Sequence, residues 1–174
     1  MNLWAVSNAL ASLALLSAGV GVILLAALLL PGSRAAVRRE VAGQERVVLG
    51  VAWLAATAAT VGSLYYSEVV GFVPCPLCWY QRIAMYPLVL ILGVAGVRGD
   101  REVWRYALPL AAVGLVIAVY HVALQFQPAL DVGICGGGVP CTARYLAIFG
   151  FVSIPVMAGS VFLLVAALLA TLVP

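Results

Sequence analysis

Residues 106–126 read YALPLAAVGLVIAVYHVALQF, without one Asp, Glu, Lys or Arg. As a helix this stretch spans about 30 Å, the thickness of a bilayer's hydrocarbon core. Outward from it, Leu3–Leu30, Val47–Ser67, Trp79–Val97 and Tyr145–Val173 have the same character, Arg82 in the third of these excepted. Over the whole chain 66% of residues are hydrophobic and 9% charged, whereas soluble domains carry about 25% charged residues. Lipid offers no partner to an exposed backbone amide, so spans this short must be helices. The expected fold is therefore an all-α polytopic membrane protein. No positive residue precedes the first run and its apolar length is about twice that of a signal-peptide core, so it is expected to stay in the mature chain.

The net charge of +3 comes from nine basic residues, all arginine, against six acids. That is too little and too scattered for a nucleic-acid surface, which leaves membrane lipid as the surroundings the composition implies. Arg34, Arg38, Arg39 and Arg46 follow the first run, and Arg98, Arg101 and Arg105 follow the third; the other two loops hold only Arg82 and Arg144. Arginine-rich loops stay in the cytoplasm. The segments Glu68–Cys78 and Gln127–Arg144 are thus expected on the outer side, and they contain all four cysteines. Disulfides persist on that side of a membrane, so redox chemistry is expected there.

The two cysteine pairs differ in kind. Cys75-Pro-Leu-Cys78 stands where the third run begins, and a Cys-x-x-Cys unit in a tight turn opens and closes with little backbone movement. The helix start favours a thiolate at Cys78 over a thiol, and Arg82, one turn on, adds a fixed positive charge on the same face. A charge there costs at least about 2.5 kcal/mol at a span's centre and less near its end. Arg82 either snorkels to headgroups or, with Gln81 as a second donor, holds a ligand that becomes anionic as it accepts electrons, such as a quinone. Cys135 and Cys141 flank Gly136, Gly137 and Gly138, a run that frees the backbone to move. Exchange needs a thiolate to attack along a sulfur–sulfur axis, so this loop is the one expected to swing.

The stretch Cys75-Pro-Leu-Cys78-Trp-Tyr-Gln81-Arg82 resembles the signature of the DsbB disulfide oxidoreductases. Cys135 to Pro155, with Cys141-Thr and Phe149-Gly-Phe-Val-Ser-Ile-Pro155, is similar to the BdbC-type branch, and the resemblance covers about Val47 to the C-terminus. It implies a four-helix membrane domain at 46–174, to which 1–45 adds an N-terminal transmembrane helix and a cytoplasmic loop. It implies a bacterial cytoplasmic-membrane enzyme that reoxidises a DsbA-like thioredoxin-fold protein and reduces a membrane quinone, menaquinone or ubiquinone. Cys135 would capture the partner, Cys141 would be its disulfide mate, Cys75 would exchange with that pair, and Cys78 would deliver electrons to the quinone. Arg82 would sit against the quinone. His121, the sole histidine, resembles the family's histidine near the quinone and would bond a carbonyl or relay a proton. The second pair is closely spaced, so an auxiliary helix in that loop is not expected.

Two other readings use the same residues. Four converging thiolates could bind zinc, or the two pairs could staple the outer loops of a structural protein. A vitamin K epoxide reductase-like quinone reductase would also join Cys-x-x-Cys chemistry to a helical bundle. Glu68 reads as a solvated carboxylate, Pro87 and Pro109 as kinks, and Gly93, Gly96, Ala111 and Gly114 as close-packing positions. Tyr65, Tyr66, Trp79 and Tyr80 suit an aromatic belt at the interface.

Overall fold

The computed structural model describes residues 2–136 and 138–173. Six α-helices follow one another: α1 Leu3–Leu29, α2 Pro31–Val41, α3 Glu45–Leu64, α4 Pro76–Arg98, α5 Trp104–Phe126 and α6 Ile154–Thr171. All except α2 are long and apolar enough to cross a membrane, five spans in total. Local chemistry sets their ends. Cys75 caps α4, Pro76 takes the first position where a missing N–H is harmless, and Gly99 closes the helix at φ 68°. The third run therefore starts three residues before Trp79.

Two stretches depart from the expected spans. The fifth run was expected from Tyr145, but α6 begins only at Ile154. Phe149 and Gly150 take φ of 53° and 82°, and Ile148 and Val152 pair across that reversal. Left-handed backbone cannot continue a right-handed helix. In the first polar loop, α2 is helical where only a loop was expected. Pro31 starts it, Arg38 and Arg39 end it, and none of its residues is buried. Such a short basic helix suits the membrane–water boundary rather than the core.

α6 is the central post. It packs against α1, α5 and α3, while α4 closes the bundle between α3 and α5. Apolar burial drives little association in lipid, so close fit matters. A Cβ on Gly114 would lie within the contact radius of the Phe162 ring, and one on Gly21 would come 3.1 Å from the α6 backbone at Leu164. Gly93 admits Trp53 in the same way, with Nε1 3.0 Å from the Cβ position. At the cysteine end, α3 passes into a π-helical turn over Tyr65–Val69. There Tyr66 donates to Ser7 Oγ of α1 at 3.1 Å in a buried bond. Tyr66, Phe72 and Tyr145 then stack in a row, with ring centroids 5.9 and 4.6 Å apart.

Candidate functional site

Capping brings the first pair together. With Cys75 in extended backbone ahead of α4, its Sγ accepts the backbone N–H of Cys78 at 3.3 Å. The two Sγ atoms then lie 2.8 Å apart as free thiols. Across from them on α5, His121 is buried. Its Nε2 lies 3.0 Å from the Cys141 carbonyl oxygen and 3.7 Å from Cys75 Sγ, and its Nδ1 is 3.1 Å from Gln81 Nε2. A carbonyl only accepts and an amide nitrogen only donates, so the ring carries its proton on Nε2. One imidazole nitrogen therefore touches both cysteine pairs.

The second pair is a Cys135–Cys141 disulfide with Cα atoms 5.8 Å apart. It is buried in one apolar cluster with Cys75, Leu77 and Leu124. The loop expected to swing is thus docked on the first pair, because Leu124 and Leu77 offer it an apolar seat. Gly137, part of the glycine run, lies outside the described residues. The loop's near end is held where Tyr120 donates to the Leu130 carbonyl at 3.0 Å. Its far end is held by Arg144, whose Nη2 donates to the Gln125 carbonyl at 2.8 Å and whose guanidinium covers the Phe126 ring at 4.2 Å. Ser153 reinforces this with a 2.7 Å bond to Gln125 Oε1. No α-helix occurs in this loop among the described residues; its one short helical turn is Pro128–Leu130.

Donors gather on Cys75 rather than on Cys78, where the thiolate was expected. Hydrogen bonding from the Cys78 thiol, then from His121, and the Cys78 backbone N–H keep Cys75 well below the ordinary thiol value. The cap residue, not the first-turn residue, collects the donors. Arg82 does not turn back on the sulfurs: its Nε donates to Ser63 Oγ at 3.0 Å and its Nη2 to the Ser63 carbonyl at 3.1 Å. Its guanidinium also lies 5.2 Å from the Trp79 ring centroid. Nη1 has no protein partner among the described residues.

Beside this arrangement is a cavity of about 380 Å³, lined at one end by Cys78, Gln81 and Arg82 and elsewhere almost wholly by apolar side chains. His121 does not line it. It faces instead a small cleft shared with Cys75 and Cys78, because its three partners draw it toward the cysteines. Gln81, which lines the large cavity, stands between it and the imidazole, with its Nε2 3.1 Å from His121 Nδ1. Ser63, Gln125 and Ser153 were not singled out from sequence, since nothing in their surroundings marks a partner so far along the chain.

Cys75, Cys78 and His121 place donor atoms within 4.8 Å of one another. Four converging thiolates do not occur among the described residues, because Cys135 and Cys141 bond each other. Both His121 nitrogens are also engaged, one donating and one accepting.

If His121 helps hold the charge at Cys75, His121→Ala should raise that thiol's pKa. The anion is present above the lowered pKa and lost as pH falls through it, so the variant should lose its ultraviolet thiolate absorbance at higher pH than the parent. A titration with an unmoved midpoint would confine His121 to anchoring the loop.

Residues 45–172 match the family described as disulfide bond formation protein DsbB. The chain is 49% identical over 121 residues to "Disulfide bond formation protein C" of Bacillus subtilis (strain 168), covering 68% of this chain and 87% of that one. It is 49% identical to "Probable disulfide formation protein C 2" of Bacillus anthracis, over 70% of this chain and 86% of that one. With "Probable disulfide formation protein" of Oceanobacillus iheyensis the identity is 48%, over 65% and 79% of the two chains. No solved structure matches.

Proposed function

The chain belongs to the DsbB family, as an integral membrane oxidoreductase that generates disulfides, and on that ground we propose that it reoxidises a DsbA-like thioredoxin-fold protein and passes the electrons to a membrane quinone. A thiolate of the reduced partner attacks Cys135 of the Cys135–Cys141 disulfide, forming a mixed disulfide and freeing Cys141. The partner's second thiol resolves it, leaving the partner oxidised and Cys135 and Cys141 as thiols. Cys141, beside His121 and Cys75, attacks the Cys75–Cys78 disulfide in turn, and Cys135 closes the second pair again. Two electrons and two protons then rest on Cys75 and Cys78. A quinone supplies the lipid-soluble acceptor for both, which restores the Cys75–Cys78 bond and leaves a hydroquinone. Gln81 and Arg82 would hold its ring at the polar end of the cavity.

The observation that carries this reading is the position of Cys78. It lines the cleft it shares with Cys75 and His121 and also the large apolar cavity, so it is the thiol that joins disulfide exchange to a site open to lipid-soluble molecules. The arginine distribution supports the bacterial cytoplasmic membrane, with the cysteine loops on its outer face. We further propose residues 46–174 as the catalytic four-helix domain and 1–45 as an addition to it.

In detergent, the purified chain should oxidise many equivalents of a reduced thioredoxin-fold protein only when quinone is added. Oxidation at the same rate without quinone would remove the proposed acceptor. Arg82→Ala should raise the quinone KM about tenfold or more, the usual weight of a charge-assisted hydrogen bond, and Arg82→Lys should restore part of it. An unmoved KM would return Arg82 to a purely structural role on Ser63.

A further inference from the structure

The cavity beside Cys78 has a wall that the family match does not reach. Leu10, Leu13, Ala14 and Ser17 of α1 line it, whereas the matched span begins at residue 45. α1 runs along α6 and touches α3 near the cysteine end. There Ser7 and Tyr66 bond at 3.1 Å, and Leu10 Cδ1 lies 3.3 Å from where a Gly62 Cβ would stand. Deeper in, Leu13 and Ser17 share the same open space with Leu54 and Val51 of α3.

The shape exceeds what a ring needs. Along α3 the lining runs from Ser63 back to Val51, about 18 Å of helix rise. Its polar groups gather at the end with Cys78, Gln81 and Arg82; apart from Ser17, whose hydroxyl donates to the Leu13 carbonyl at 2.8 Å, the deeper lining is apolar. A volume near 380 Å³ falls in the range of about 300–1,000 Å³ typical of small-molecule sites. Leu13 and Leu54, 56% and 60% exposed, leave the cleft open sideways where lipid would lie. An extended hydrocarbon chain attached to a polar ring fits this division of polar and apolar surface.

Resting on the proposed quinone reduction, we infer that α1 forms one wall of a channel for the quinone's isoprenoid tail, with Leu13 and Ser17 as the residues that decide how well a tailed quinone is used. The helix outside the matched domain is then part of the substrate site and not merely an extra anchor. A larger side chain at either position would fill the channel while leaving the ring end by Cys78 untouched.

The test compares a polyprenyl naphthoquinone with the same ring carrying only a methyl group, by initial rates in detergent. Ser17→Phe and, independently, Leu13→Phe should raise the KM for the tailed quinone relative to the tail-free one about tenfold, the loss of roughly two methylene contacts. Leu16→Phe, on a lipid-facing position that is 67% exposed, should leave that ratio at the wild-type value. Two channel variants that fold and keep the wild-type ratio would overturn the inference alone. A wild-type chain that turns over with neither quinone would overturn the proposed function, and the inference with it.

Discussion

Cys78→Ser should lower quinone-dependent turnover by several orders of magnitude, as loss of an obligatory nucleophile does, while leaving capture of the partner intact. The serine cannot close a disulfide with Cys75, so the second pair has no bond left to which it can pass electrons. After one exchange with the partner, Cys135 and Cys141 should then remain as thiols beside the lone Cys75 thiol. Cys135→Ser should give the mirror result: no mixed disulfide with the partner, yet a Cys75/Cys78 pair that quinone still oxidises once. Peptide mapping of the disulfides in the two variants reads both outcomes. Full turnover by Cys78→Ser would mean that electrons leave by a route that bypasses the sulfur facing the cavity.

The second large effect concerns the bundle itself. Gly114→Ala places a methyl group where the fully buried Phe162 ring stands, so the ring or the helix must shift. Overpacking of this kind costs about 1–3 kcal/mol, and in lipid the fit between helices is most of what holds them together. Thermal unfolding in detergent should show a clear drop, whereas Gly19→Ala, with nothing near its Cβ position, should leave the transition in place or raise it slightly. Equal transitions for Gly114→Ala and the parent would show that α5 and α6 separate more easily than their contact implies.

Apolar length alone made the five spans and the all-α class legible, because a membrane-spanning helix leaves so few alternatives for its backbone. Hydropathy was blind to α2, whose helix is signalled by Pro31 at its start and arginines at its end rather than by apolar content. It also ran α6 nine residues too far toward the N-terminus. Residues 145–153 are as apolar as a span, and only the Phe149-Gly150 reversal and Pro155 mark the break. At the site, the Cys-x-x-Cys spacing and the Gln81-Arg82 pair were readable because they are local. The placement of charge on Cys75 was not, since it depends on which residue caps α4 and on an imidazole that arrives from α5. The pairing of Arg82 with Ser63 and the α1 wall of the cavity also come from packing between distant helices, which no single stretch of sequence records.

The bonds at Leu130 and Arg144 limit how far each sulfur of the docked loop can travel. Cys141 stands three residues from the Arg144 anchor, a leash of about 10 Å when fully extended, and Cys135 stands five from Leu130, a leash of about 17 Å. Once their bond opens, one sulfur keeps to the bundle while the other ranges outward. On the proposed reaction, a soluble dithiol protein would therefore meet Cys135, the sulfur on the longer leash, rather than Cys141, so the loop's anchors select which sulfur is offered to the visitor.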